Sequence, residues 1–406
     1  MKVLQINAVF AKSSTGRTTR EMHEFFQSHG IESYVAAPDL ADLTENCYHI
    51  GNKVDYKFHA LFSRIWGKQG YFSYCATKGL LKYMDVIQPD VVILRNLHGN
   101  YVNLPMLLKY LAKHDIATIL VLHDCWFYTG NCVYYIAPGC SKWKEQCGHC
   151  PVLKTDFHSW FFDQTTTMLK EKKELFGTIK KLAAIGVSQW VANDAKQSIL
   201  GKAFDIQCIY NWIDLKTFCP KDKTPIRKKY GFSAEDFIVL GVSQAWSLAK
   251  GINFFHLLSD ILPNDMRLVL VGDSSSVLHK RGNISYLPPT VNVAELAELY
   301  AMADVFVNPT LQETFGKTTA EALSSGVPVV AYDGTATPEL IGRDEKCGYL
   351  IPSLAPELYS QKIAEIRQVG CEVYRDNCRS RSESMFSMEK NMMMYIDLMN
   401  RMISNK

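Results

Sequence analysis

The sequence predicts two doubly wound α/β domains, each built around a parallel β-sheet. Short runs rich in Val, Ile and Leu alternate with helical patterns through both halves of the chain. Within the runs apolar and polar residues do not alternate, as expected of parallel strands that are covered on both faces. The 406-residue chain is also too long for one typical hydrophobic core. We therefore expect two sheets, each with helices on both sides.

Nine apolar runs are predicted to be strands, five before a break in the pattern and four after it. In chain order they are Val3–Ile6, Tyr34–Ala37, Val91–Leu94, Thr118–Leu122, Ala184–Val187, Ile238–Val242, Arg267–Val271, Val305–Asn308 and Val327–Ala331. The break falls at Asn211–Asp214 and Cys219-Pro220. The predicted domains are residues 1–210 and 211–385, followed by a helical tail with a Met-rich face in residues 386–406.

Composition and charge exclude several classes of protein. A net charge of +3 does not indicate binding to nucleic acid. The sequence contains no run of about 18 uncharged apolar residues, so no membrane-spanning helix is expected. Residues 1–7 have the pattern of a short buried strand rather than of a signal peptide. A cytoplasmic protein is expected, in which the 12 cysteines are free or metal-bound rather than disulfide-linked.

The segment from Val305 to Val330 predicts a binding site for a nucleotide sugar. Its pattern is strand, loop, helix, turn and strand, with Glu313 in the loop and Glu321 on the second turn of the helix. The start of a helix presents unpaired N–H groups and the positive end of its dipole, which suit a phosphate. Here those groups belong to Phe315, Gly316 and Lys317. A phosphate with a carboxylate on either side matches a ligand with hydroxyl groups at both ends.

This segment resembles the paired-glutamate signature of retaining glycosyltransferases of family 4, including the Phe-Gly between the two glutamates and the trailing Gly-x-Pro-Val-Val. The resemblance implies the GT-B fold, in which two Rossmann-like domains face each other across a cleft. It also implies that the helix in residues 386–406 crosses back to the first domain. The donor would be a UDP- or GDP-type sugar, with Glu313 at the sugar and Glu321 at the ribose. No DxD-like site is apparent, so we expect no catalytic metal ion.

Two further cationic segments are expected to reach the donor diphosphate. Lys250 lies between a predicted strand and a helix, where its charge suits the leaving group. Family members usually carry Arg five residues earlier, where this chain has Ala245. The small-residue loop Lys12–Thr19 resembles a Ser-Thr-Gly-Arg loop of a polysaccharide-forming subgroup of family 4, which implies that Gly16 and Arg17 lie at the mouth of the cleft.

Histidines follow two predicted strands of the first domain, at the edge where parallel sheets bind ligands. His123 and Asp124 follow one strand, and His98 and Asn100 follow another. The resemblance implies that His123 faces the reacting sugar. His98, Asn100 and Asp124 are weaker candidates for contacts with the acceptor.

Four cysteines fall in a loop of residues 125–151, which follows the His123 strand. They are Cys132, Cys140, Cys147 and Cys150. Four thiols within nineteen residues suit a structural tetrahedral zinc site. A disulfide, free thiols and a redox pair remain alternatives, although a redox pair normally opens a helix after a buried strand.

A stretch within residues 53–72 mixes basic and aromatic residues. Its members are Lys53, Tyr56, Lys57, Phe58, Leu61, Phe62, Arg64, Ile65, Trp66, Lys68, Tyr71 and Phe72. Such a helix can lie on an anionic membrane or face the core, and the sequence leaves both interpretations open. Relatives with lipid-linked acceptors imply peripheral contact with the inner face of the membrane.

The sequence thus predicts a retaining glycosyltransferase that uses a nucleotide diphosphate sugar and a saccharide or lipid-linked saccharide acceptor, in cell-surface polysaccharide synthesis. A nucleotide-sugar epimerase of the same fold is one alternative. A zinc-bearing nucleic-acid module is another, although Lys142, Lys144 and Lys154 make only a sparse basic face around the cysteines.

Overall fold

A computed structural model describes residues 1–40, 46–247, 250–277 and 279–404. The chain divides into two compact units. The first comprises Met1–Ile209 with Met392–Lys406, and the second comprises Tyr210–Asn391.

The first unit is built on a parallel sheet that has seven strands in the described residues, in the order β3-β2-β1-β4-β5-β6-β7. Its strands are β1 (Lys2–Ile6), β2 (Glu32–Ala37), β3 (Cys47–His49), β4 (Val91–Leu94), β5 (Ala117–Leu122), β6 (Leu182–Gly186) and β7 (Asp205–Cys208). Its helices are α1 (Ser13–Ser28), α2 (Lys53–Trp66), α3 (Tyr74–Ile87), α4 (Leu104–Lys113), α5 (Thr165–Gly177) and α6 (Gln189–Lys196). Strands β4 and β5 are buried along their whole length, as the unbroken apolar runs predict.

The second unit contains a six-stranded parallel sheet in the described part of the chain, in the order β10-β9-β8-β11-β12-β13. Its strands are β8 (Phe237–Ala245), β9 (Met266–Asp273), β10 (Ile284–Leu287), β11 (Val305–Asn308), β12 (Val329–Tyr332) and β13 (Gly348–Ile351). The helices are α7 (Lys223–Lys229), α8 (Ile252–Ile261), α9 (Val293–Met302), α10 (Lys317–Ser324), α11 (Thr337–Ile341), α12 (Pro356–Val369) and α13 (Glu372–Met385). The last helix, α14 (Met388–Ser404), begins in this unit, and its residues from Met392 onward belong to the first.

The two predicted parallel sheets are both present, and all nine predicted strands are found. Two of them have the predicted bounds, and the others differ by at most three residues at either end. The sequence missed β3, β7, β10 and β13, which are the edge strands of the two sheets. None of the helices in the described ranges is long and apolar enough to cross a membrane.

The prediction of a loop at Lys12–Thr19 is wrong, because α1 already begins at Ser13. Gly16 and Arg17 therefore lie in the first turns of a helix. A Cβ atom on Gly16 would lie 3.2 Å from the Val9 side chain and 3.3 Å from the Ala11 nitrogen. The glycine thus lets the turn after β1 pack closely against α1. Arg17 is partly buried, and its Nε lies 3.9 Å from Glu21 Oε1.

Candidate active site

Lys250 and Glu313 lie beyond the carboxyl ends of neighbouring strands in the second unit. Lys250 follows β8 and Glu313 follows β11, and these strands pair in the sheet. Burial raises the pKa of Glu313, while the Lys250 ammonium and a hydrogen bond from Asn308 act in the opposite direction. The backbone N–H of Glu313 donates to Thr335 Oγ1 at 3.1 Å, which fixes the loop. A carboxylate and a cation therefore interact where open parallel sheets bind ligands.

Helix α10 begins beside this carboxylate, as the sequence predicts. Its N-cap residue, Gly316, has left-handed backbone angles (φ 90°, ψ 60°), which glycine adopts readily. In the described structure no side chain caps this end by a hydrogen bond. The Phe315 side chain is buried and makes an edge-to-face contact with Phe386, with ring centroids 5.5 Å apart. Phe315 thus anchors the turn, while its backbone forms the helix entrance together with that of Lys317.

Glu321 is held by a partner that the sequence did not reveal. Only 3% of the residue is exposed, so it does not belong to a solvated helix face. Tyr300, near the end of α9, donates its hydroxyl to Glu321 Oε2 at 3.1 Å. A buried carboxylate that accepts a hydrogen bond keeps a defined orientation.

In the first unit, His123 and Arg95 follow the adjacent strands β5 and β4. Arg95 is buried, and its Nη1 lies 3.1 Å from His123 Nε2 and 3.3 Å from Thr18 Oγ1. A guanidinium group only donates, so Nε2 accepts and the ring carries its proton on Nδ1. The sequence did not single out Arg95 as functional, although a charged residue directly after a fully apolar strand is a usable signal.

The weaker candidates His98 and Asp124 form a hydrogen-bonded pair, with His98 Nε2 2.8 Å from Asp124 Oδ2. Asn96 Nδ2 donates to the same oxygen, and the Trp126 N–H donates to Oδ1, both at 2.8 Å. Burial opposes ionisation of Asp124, but His98, the Trp126 N–H and His123 leave its pKa below the usual value. Asp124 thus orients His98.

Asn100 also has an internal partner, because its Oδ1 accepts from Gln69 Nε2 at 2.6 Å. Near it runs a groove of about 390 Å³ between α2, Asn100 and the segment after the cysteine loop. Its walls include Tyr56, Lys57, Leu61, Arg64, Gln69, Asn100, Asp156, Phe157 and His158. Lys57 and Arg64 give this groove cationic groups beside aromatic rings.

The four cysteines of the predicted zinc site line one cavity of about 20 Å³, which is room for about one water-sized body. Backbone N–H groups of Gly130 and Val152 donate to the sulfur atoms of Cys147 and Cys150. Among the described residues, however, no group of three or more His, Cys, Asp or Glu side chains is arranged to hold a metal ion. Zinc at these cysteines therefore stays a prediction.

A buried lysine lies beside this cysteine cluster. Lys172 Nζ donates to the carbonyl oxygens of Trp126 at 2.6 Å and Thr129 at 3.0 Å. Burial lowers the pKa of Lys172 to about 7, against the influence of Cys132 and Cys147. Negative charge on the thiols would therefore favour the ammonium form.

Comparison with known proteins identifies the second unit. The family described as "Glycosyl transferases group 1" matches residues 237–368, the stretch that contains Lys250, Glu313 and Glu321. Residues 237–368 are therefore similar to group 1 glycosyl transferases. The likeness to family 4 that the paired glutamates predict is thereby confirmed.

Several curated relatives of this chain are named as glycosyltransferases. N-acetyl-alpha-D-glucosaminyl L-malate synthase of Bacillus anthracis is 28% identical over 185 residues, which are 43% of this chain and 47% of that protein. The putative colanic acid biosynthesis glycosyl transferase WcaC of Escherichia coli K12 is 26% identical over 315 residues, which are 70% of this chain and 73% of that protein. With the first of these the chain thus matches about half of the relative's length.

Solved structures confirm the predicted GT-B fold. Anabaena Alr3699/HepE in complex with UDP-glucose has a TM-score of 0.67 and 16% sequence identity, and the comparison covers 100% of both chains. At this level of identity the likeness concerns the fold.

Proposed function

We propose that the protein transfers a sugar from a nucleotide diphosphate sugar to a saccharide acceptor with retention of the anomeric configuration. The observation that carries this proposal is the position of Lys250 and Glu313, which follow two paired strands, with Glu313 beside the entrance of α10. Cation, carboxylate and helix terminus together match the three kinds of group that a nucleotide sugar presents.

Each residue has a distinct part in this proposal. Lys250 and the backbone of residues 315–317 stabilise the charge that develops on the leaving diphosphate. Glu313 accepts hydrogen bonds from donor sugar hydroxyls, and Glu321 does so from the ribose. His123, oriented by Arg95, faces the reacting sugar. Because these cationic groups stabilise the diphosphate, the proposed reaction includes no catalytic divalent ion.

A uridine nucleotide is the first donor to test. The Anabaena protein of similar fold was solved with UDP-glucose, and a GDP-sugar is the second candidate. Polysaccharide synthesis is the proposed setting, because a relative that matches 70% of this chain is named for colanic acid biosynthesis.

The groove beside α2 is the proposed acceptor site. It lies in the unit that carries His123, and its Lys57 and Arg64 suit an anionic group of a lipid-linked saccharide. Its aromatic walls, Tyr56 and Phe157, suit the apolar faces of sugar rings. We therefore propose that the protein acts in the cytoplasm, at the inner face of the membrane.

A thermal-shift screen against UDP-, GDP- and ADP-sugars tests the donor, because a ligand that binds only the folded state raises the melting temperature. The stabilising donor is then incubated with and without a lipid-linked saccharide acceptor, and the anomeric configuration of the product is determined by NMR. Product that forms only with acceptor supports the transferase. Conversion of the donor alone would indicate an epimerase, and an inverted product would overturn retention.

A further inference from the structure

Helix α2 has its apolar face turned away from the protein. In the described structure its buried residues are the polar His59 and Ser63. Six of its seven large apolar side chains are instead exposed, namely Val54, Tyr56, Phe58, Leu61, Phe62 and Trp66. A surface helix of a globular protein normally shows the opposite pattern, with the apolar stripe facing the core. The core-facing interpretation of this helix is therefore wrong, and its contact with a membrane stays a prediction.

Hydrogen bonds fix the rotation of α2 through its polar face. The Gly70 N–H donates to His59 Nε2 at 3.1 Å, so the ring proton lies on Nδ1, which is 2.7 Å from Ser73 Oγ. The N-terminus is held by a reciprocal capping box between Asn52 and Asp55. Turning the aromatic side chains inward would break these bonds, so their exposure is a built property of the fold.

A second exposed aromatic segment, Trp160–Phe162, continues this surface. Phe161 is 71% exposed, and its two neighbours are also exposed. The Trp160 N–H donates to the Arg64 carbonyl oxygen at 2.6 Å. The Phe162 ring stacks on Trp66, with centroids 5.2 Å apart. Two elements about 100 positions apart in the chain thus form one surface, which we call the aromatic surface. It consists of the exposed apolar residues of α2 and of Trp160–Phe162.

The charges on the aromatic surface are mainly positive. Lys53, Lys57 and Arg64 are exposed on α2. The one acidic residue of this helix, Asp55, is engaged in the capping box. Trp, Tyr and Phe beside Lys and Arg are the side chains that favour the boundary between lipid headgroups and acyl chains. Anionic headgroups attract the basic residues.

We propose that the aromatic surface docks the protein on an anionic lipid bilayer. Trp160–Phe162 and the outer face of α2 enter the headgroup boundary, while Lys53, Lys57 and Arg64 bind lipid phosphates. This surface goes beyond the chemistry of sugar transfer. Its link to the acceptor groove rests on the proposed function: Lys57 and Arg64 also line that groove, so a lipid-linked acceptor would reach it from the bilayer.

Vesicle co-sedimentation tests the docking, with phosphatidylglycerol–phosphatidylcholine vesicles and vesicles of phosphatidylcholine alone. The wild type should bind the anionic vesicles more tightly, and high salt should weaken binding. The affinity of the double variant Phe58→Ser/Phe161→Ser for these anionic vesicles should fall by roughly tenfold or more. Both side chains are more than half exposed and outside the groove, so the variant should fold. The control is Val86→Ser/Val373→Ser, which changes exposed apolar residues outside the aromatic surface and should bind normally.

Three further measurements separate this proposal from its rivals. Brominated lipids should quench tryptophan fluorescence in the wild type, and less so in Trp160→Phe. The double variant should keep its turnover with a soluble acceptor, so that failed docking is distinguished from failed sugar transfer. Sedimentation velocity without lipid should give a monomer. A wild type that ignores anionic vesicles, or a double variant that binds them equally well, overturns the proposal. A dimer that the double variant dissociates would assign the aromatic surface to a second copy of the chain.

Discussion

Arg95 donates a hydrogen bond from Nη1 to Nε2 of His123 across 3.1 Å, at the ends of paired strands. Burial lowers the pKa of Arg95 to about 10, so the group remains charged near neutral pH. A guanidinium group only donates hydrogen bonds, so Nε2 of His123 accepts and its ring proton lies on Nδ1. Arg95 therefore selects one tautomer of His123.

Replacing Arg95 with Met should disturb catalysis through His123. The variant loses the donor that selects the Nδ1–H tautomer, so kcat should fall by roughly tenfold or more while the KM for donor changes little. Nitrogen-15 NMR of the imidazole should show a mixture of tautomers. Thr18→Val is the matched control, because it removes another partner of Arg95 and leaves the contact with His123. An unchanged tautomer in Arg95→Met would contradict the positioning role.

Replacing Glu313 with Gln should reduce activity without reducing stability. A charge-assisted hydrogen bond contributes roughly 1.5–3 kcal/mol, so turnover should fall by about an order of magnitude or more. Because burial raises the pKa of Glu313, its ionised form opposes folding at neutral pH. The variant should therefore melt at the same or a higher temperature than the wild type at pH 7.

The difference in stability between Glu313→Gln and the wild type should depend on pH. Below the folded-state pKa of Glu313 the wild type carries a neutral carboxyl, so the stability gain of Glu313→Gln should shrink as the pH falls. Glu235→Gln, at an exposed carboxylate, is the control and should change neither property. Wild-type turnover in a well-folded Glu313→Gln protein would remove Glu313 from the site.

Glu321 should contribute to nucleotide affinity through the ribose. Glu321→Ala should bind free UDP or GDP more weakly in calorimetry. Glu321→Gln retains an oxygen that can accept the hydrogen bond from Tyr300, so it tests the ribose contact with less structural disturbance. It should weaken binding of UDP more than binding of 2′-deoxy-UDP. Equal losses of affinity for the two nucleotides would mean that Glu321 only supports the fold. The melting temperature of Tyr300→Phe, which removes the hydrogen bond to Glu321, measures that structural contribution separately.

Zinc at the four cysteines is tested by elemental analysis of protein purified without chelator. We expect about one zinc per chain, and a lower melting temperature after its removal. The thiols line one cavity without being arranged to hold an ion, so zinc would have to draw them together. Cys132→Ser/Cys150→Ser should lose the metal, whereas Cys75→Ser, at an exposed cysteine of α3, should keep it. If the metal-free protein is as stable as the protein with metal, the zinc prediction is wrong, and the cysteines are free thiols or form a disulfide.

The interior strands of both sheets could be predicted from the sequence, and the edge strands could not. An interior strand such as β4 is buried on both faces, so its four residues are all apolar. The edge strand β7 is partly buried at every position, and β3 has only three residues, so neither forms an apolar run. A strand with one open side needs less apolar surface, and the pattern that identifies it is correspondingly weak.

The sequence by itself determined the two parallel sheets, the loops that carry Glu313, Lys250 and His123, and the helix that begins at Lys317. These follow from local patterns, because an apolar run fixes a strand and the end of that strand fixes where its loop lies. Only the tertiary structure decided which side chains meet. Arg95 and His123 are 28 positions apart, and Trp66 and Phe162 are 96 apart. It also decided the orientation of α2, because His59 holds that helix through bonds to Gly70 and Ser73 that no period in the sequence records.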